Sequence, residues 1–246
     1  MIPALRAEVR KLLTIRSTYI ILASCLALEF IFAFYGAGIK AATADLHNPH
    51  YLASQVTQAI SALSILIALV GTLLVTHEYR YNTIMYTLTS SRRRTYILLT
   101  KLIVITVFAV VFSLFFGLLS PLLANLGVHL KGHELVHQVI PVGDLVWRSV
   151  FAGWGFAMFA LILAFLIRIQ VGAIVALFFI PTTVEALIGL ILKHNAIYLP
   201  FTALSLVLDH NPEHPVSYTH AALTAGIYIV AGWIIAWALF LRRDAN

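Results

Sequence analysis

The chain has 246 residues, of which 61% are hydrophobic and 11% charged, against roughly 45–50% and about 25% in a soluble domain. That balance excludes an ordinary water-soluble domain and points to an all-α integral membrane protein. A formal net charge of +6 in such a chain reports topology and not nucleic-acid binding.

Residues 2–15, IPALRAEVRKLLTI, place Ile2, Leu5, Val9, Leu12 and Leu13 near helical spacing, with Arg6, Glu8, Arg10 and Lys11 between them. The pattern predicts an amphipathic helix lying along the inner leaflet. A merely solvated basic terminus would leave that apolar stripe in water. Six apolar runs then follow that are long enough to cross about 30 Å of hydrocarbon: about 17–38, 59–76, 97–119, 149–167, 171–192 and 221–241. The first is too long for a secretory signal, contains Glu29 and follows an amphipathic stretch, so it reads as an uncleaved span. Its Cys25 is the only cysteine, which leaves nothing for a disulfide framework and suits packing.

Between the second and third runs lies THEYRYNTIMYTLTSSRRRTYILLTK, Thr76 to Lys101. It is too polar to span. Tyr81, Ile84, Met85 and Leu88 fall at i, i+3, i+4 and i+7, the apolar face of a short helix at the membrane surface that suits a partner's groove. Ser90 and Ser91 end it, and Arg92 to Arg94 face lipid headgroups or an acidic partner. A plain positive-inside anchor explains those arginines equally well. Glu78, two residues from Arg80, reads as a local polar contact that fixes the turn.

The run E-Y-R-Y-N-T-I, followed by S-R-R-R and L-L-T-K, resembles the first cytoplasmic loop of ABC transporter permeases of the type-2 export class. In that family a Glu, a Gly-Thr pair, a small helix, an Arg and a Lys recur at this spacing, and here Glu78, Thr83, Arg94 and Lys101 take those places. Asn82 stands where the family usually has Gly, and Ser91 near where many members have Pro; Asn tolerates positive φ and Ser suits a helix boundary. The N-terminal A-E-V-R-K-L-L-T-I-R-S also resembles the family's elbow helix. The resemblance covers essentially the whole chain, as a single transmembrane domain over 1–246 with an elbow helix over 2–15 and a coupling segment over 77–96. It implies that Glu78, Arg80, Thr83, Ile84, Met85, Leu88, Arg94 and Lys101 couple the chain to a separate ATP-binding subunit. It also implies a second permease subunit, identical or not. No G-x-x-x-x-G-K-[ST] occurs in the sequence, so ATP and Mg are expected on the partner and no cofactor on this chain.

In the outer loop after the third run, HELVH, His133 to His137, fits the H-E-x-x-H template of zinc metalloproteases. His133 and His137 would share a helix face and hold a metal, with Glu134 as general base. Gly132 and Pro141 limit that helix to about two turns, and no third-ligand spacing accompanies it. A metal- or proton-binding histidine patch and an ordinary polar loop both remain open, and the ordinary loop is favoured.

Two carboxylates fall inside apolar runs, where ionisable groups mark functional positions by default. Glu29 and Glu185 are each expected about 20 Å from the inner surface, at about 1.5 Å per residue, with Pro181 loosening the helix one turn before Glu185. Both are candidates for the translocation path; a protonated or Arg148-paired carboxylate used for helix packing is the alternative. Residues 196–208 are apolar but too short to cross, and read as a re-entrant or interfacial element over the outer face.

Of the 16 Lys and Arg residues, only Lys40, Lys131, Arg148 and Lys193 fall on the side opposite the termini. The bias places both termini in the cytoplasm of a multi-pass plasma-membrane protein. The chain therefore reads as the permease subunit of an ATP-driven exporter, not itself an enzyme. An integral membrane zinc protease and a non-ABC channel are the rivals.

Overall fold

Long helices follow directly from the apolar runs, because a backbone in hydrocarbon must satisfy its own N–H and C=O groups. A computed structural model describes residues 2–42, 45–81, 83, 94–132, 141–209 and 217–242. Helix α1, Ile2–Thr14, ends where Ile15 turns extended (φ −78°, ψ 120°). Helix α2, Arg16–Glu29, continues as a π-helical segment over Phe30–Ile39. Then come α3 (Tyr51–Arg80), α4 (Arg94–Leu130), α5 (Val142–Ile167) and α6 (Gln170–Phe179). A π-turn over Ile180–Val184 joins α6 to α7, Glu185–Leu192. A 3₁₀ segment, Lys193–Tyr198, leads to α8 (Pro200–Leu208), and α9 spans Tyr218–Arg242. No strand occurs among the described residues.

Among the described residues six helices are long and apolar enough to cross a membrane: Arg16–Ile39, Tyr51–Arg80, Thr95–Leu130, Val142–Ile167, Gln170–Tyr198 and Tyr218–Arg242. Each overruns the apolar run that announced it. The 37 residues of α4 cover about 55 Å at 1.5 Å per residue, more than the hydrocarbon needs, so its ends stand in the polar layers. Pro181 has no N–H to donate and crowds the preceding turn, and the local widening to a π-turn accommodates it.

Helices α3 and α5 form the central pair. Of their most apolar windows 72% and 67% are buried, against 11% for the fifth span and 22% for the sixth. Leu63, Ile67, Leu74, Met158 and Leu161 make up the core between them and α4. Close approach uses small residues, the common solution where lipid removes the hydrophobic gain of helix association. A Cβ added to Gly153 would lie 1.9 Å from Ser113 Oγ, and one on Gly117 would lie 2.2 Å from Ser149 Oγ. At the C-terminal end of the first span, Gly38 meets Gly127 of α4. A Cβ on Gly127 would stand 2.5 Å from the Phe34 carbonyl oxygen and 2.8 Å from Gly38 Cα. Arg168 closes α5 in the left-handed region (φ 61°), which gives the two-residue turn into α6.

Gly127→Ala must push the first and third spans apart and is expected to cost about 1–3 kcal/mol, the range for overpacking. Gly226→Ala, where an added Cβ meets nothing within 4 Å, is the control. Thermal unfolding in detergent should show a lowered midpoint for the first variant and none for the second.

Candidate functional site

The sequence marked Glu78 and Lys101 separately; the structure joins them. Glu8 and Lys11, one helical turn apart on α1, meet Glu78 near the end of α3 and Lys101 in the second turn of α4. Lys101 is fully buried, and Glu8 and Glu78 are 4% exposed. The Lys101 ammonium donates to Glu78 Oε1 at 2.8 Å, to Glu8 Oε2 at 3.0 Å and to the Leu74 carbonyl at 3.2 Å. An ammonium has three donors, and here each has an acceptor. Lys11 closes the ring, bonding Glu8 Oε1 at 2.7 Å and the Glu78 carboxylate.

Two carboxylates and two ammoniums leave the quartet neutral overall. That matters, because taking ions out of water costs several kcal/mol each unless geometry and hydrogen bonds compensate. Burial alone would lower the Lys11 pKa, but the Glu78 and then the Glu8 carboxylates outweigh it and hold it above the ordinary lysine value. The Lys11 contribution is therefore complete below the ordinary ~10.4 and is lost only as pH rises through the higher folded value.

The last turn of α3 is tied in two further directions. The Glu78 carbonyl accepts the Thr83 N–H at 2.9 Å and the Thr83 hydroxyl at 3.5 Å, which shapes the exit of the chain. Arg80 donates to Gln170 Oε1 of α6 at 3.2 Å, and the Arg168 guanidinium lies 5.6 Å from the Tyr79 ring centre. The expected local contact of Glu78 is thus made by its backbone, while its side chain reaches across to α1 and α4. Ile84, Met85 and Leu88, the predicted docking face, lie outside the described residues. Arg94 opens α4, its side chain likewise outside them.

Both membrane carboxylates are buried, and they do not share a partner. Glu29 ends α2 and accepts the Ser120 hydroxyl of α4 on Oε1; its Oε2 has no partner among the described residues. Glu185 is fully engaged. Its Oε1 accepts the Phe201 N–H at 2.8 Å, and its Oε2 accepts the Thr202 N–H at 2.7 Å and the Thr202 hydroxyl at 2.8 Å. Those amides are among the orphan donors that open any helix, and a negative charge there also suits the helix dipole. Glu185 is the side-chain cap of α8, brought from another helix. Arg148, the alternative partner, instead pairs with Asp144 at 2.7 Å and with the Asp209 carbonyl at 2.8 Å.

Residues 4–193 match the family described as ABC-2 family transporter protein. The chain belongs to that family. No curated protein matches it. An ABC-2 assignment and six apolar helices together make this a multi-pass membrane protein and a transport permease. The match takes in the quartet, both membrane carboxylates and the first five spans almost to their end; α8 and α9 lie beyond it.

In this ABC-2 protein His133, Glu134 and His137 lie outside the described residues. Among the described residues no group of three His, Cys, Asp or Glu side chains is placed to hold a metal ion. Glu8 and Lys11 are the functional candidates the sequence did not single out. The only available signal was their opposite charge at i, i+3 inside an otherwise arginine-bearing helix.

Lys101→Met leaves Glu8 and Glu78 buried with Lys11 alone and is expected to cost about 3–5 kcal/mol, the usual result of breaking a buried pair from one side. The exchange Glu78→Lys with Lys101→Glu keeps the net charge but sets a cation beside Lys11 and a carboxylate beside Glu8 and the Leu74 carbonyl, so it should not recover the loss in thermal midpoint. Glu185→Gln removes a charged acceptor, worth about 1.5–3 kcal/mol. Amide hydrogen exchange should accelerate over 200–208 while α3 and α5 stay protected.

Proposed function

We propose that this ABC-2 chain is the export permease subunit that receives the work of ATP hydrolysis through its segment 77–96. The single observation behind the reading is the ion quartet. It fastens α1, the end of α3 and the start of α4 into one body on either side of the segment, so that a push on the segment moves three helices together. The Arg80–Gln170 and Arg168–Tyr79 contacts extend that body to the turn between α5 and α6.

In this reading a separate subunit binds ATP and Mg and grips the face of Ile84, Met85 and Leu88. Thr83 sets the exit of the segment, and Arg94 and Lys101 its return. Two permease subunits, identical or not, rock between inward-closed and outward-open arrangements. Both termini lie in the cytoplasm, in keeping with 12 of the 16 Lys and Arg residues on that side, and α1 lies along the inner face of the plasma membrane as an elbow. Glu29, with its unused oxygen, faces the translocation path. Glu185 holds α8 over the outer mouth of that path.

Co-purification from native membranes tests the reading. A chain carrying the Walker A pattern should accompany the wild-type protein and be lost on Leu88→Asp, which spoils the docking face without touching the quartet. Glu78→Lys should retain less than about one tenth of the ATPase partner, whereas Gly226→Ala retains all of it. Recovery of the permease with no ATP-binding chain, or equal recovery from all variants, defeats the proposal.

A further inference from the structure

Helix α1 carries three stripes, and the quartet uses only one. Glu8 and Lys11 face α3 and α4. On the neighbouring stripe Val9 and Leu13 border a groove of about 310 Å³ between α1, α2 and α4, whose walls include Leu22, Val107 and Val111 and are almost wholly apolar. Val9 and Leu13 are 40% and 60% exposed, so the groove is open along its length. The third stripe is cationic. Arg6 precedes Val9 by three residues and Arg10 precedes Leu13 by three, which puts each arginine beside the groove's rim on the helix surface. Both are exposed and make no ion pair among the described residues.

We infer that this groove is a binding site for an anionic phospholipid, with one acyl chain between α1, α2 and α4 and the phosphate on Arg6 and Arg10. The inference rests on the reading of α1 as an interfacial helix. Two features select this occupant. Along α4 the groove runs from Ile103 to Phe112, about 14 Å at 1.5 Å per residue, and descends from the polar end of the span into hydrocarbon, the path an acyl chain takes. A bare apolar slot would accept any lipid, but its rim presents two uncompensated guanidiniums, groups that match phosphate geometry. A second copy of this chain entering the slot would have to bring its own arginines against them.

A bound lipid of this kind would brace α1 on the side away from the quartet. The test uses full-length protein reconstituted in bilayers of equal parts phosphatidylcholine and phosphatidylglycerol, then released for native mass spectrometry. The wild type should retain phosphatidylglycerol preferentially. Arg6→Gln and Arg10→Gln should each lower that preference about fivefold, the effect of one cation near a membrane surface. Val107→Trp, and separately Val111→Trp, fill the slot and should reduce retention of both lipids while the arginines stay. Unchanged preference in the glutamine variants, or full retention in both tryptophan variants, overturns the site. So does disulfide pairing of two Val9→Cys chains, which would give the groove to a second copy. A nitroxide on Ala7→Cys, in a Cys25→Ala background, reports the depth of α1 independently. Headgroup depth without lipid preference rejects the site alone; full water exposure rejects the interfacial reading as well.

Discussion

A lysine with no access to water is the constraint around which the end of this protein that carries α1 is arranged. Lys101 lies at 0% exposure, and an ammonium in that position is tolerable only if negative charge and acceptors surround it. No single helix supplies them. Glu78 comes from α3, Glu8 from α1, and the third acceptor is the Leu74 carbonyl, a backbone group whose lone pair the helix does not exhaust. Position and charge are therefore coupled: α1 cannot slide along α4 without stripping a carboxylate from Lys101, and α3 cannot rotate without withdrawing Glu78 from both lysines. The quartet acts as a register pin among three helices, one of the best-supported uses of buried charge.

The opposite half is held differently. There the first and third spans meet through Gly38 and Gly127, and the third and fourth through Gly117 with Ser149 and Gly153 with Ser113. These are contacts of shape. A charged contact on that side, Glu185 on the first amides of α8, fixes a short helix to a span that is only 11% buried. The charged pin and the bare fifth span thus lie at opposite extremes of burial.

Hydropathy made the helical architecture legible, and its errors have a physical cause. The runs at 59–76 and 149–167 fell short of Tyr51–Arg80 and Val142–Ile167 because polar residues at the membrane surface continue a helix that apolar counting has already ended. Glu78 and Lys101 stood out as ionisable groups at the ends of spans. Their shared partners did not, since pairings across 67 and 93 residues leave no trace in local periodicity. Glu185 was recognised as a costly group inside an apolar run. That its acceptor capacity is consumed by the Phe201 and Thr202 amides depends on where α8 begins, and a carboxylate capping a helix from another span carries no sequence signature.

The small size of α1 sharpens the role of the quartet. A helix of 13 residues lies at the length where isolated helices are marginal in water, and its exposed arginines and half-exposed Val9 and Leu13 give it little burial of its own. What remains to hold it folded in place is Leu12 in the core, Leu5 packed against it, and the pairings of Glu8 and Lys11. Folding of α1 and closure of the quartet are then the same event, and loss of one carboxylate would both release a helix and unbalance a buried charge. Because the same cluster flanks the segment that leaves α3, the state of α1 and the orientation of that segment are coupled through Glu78.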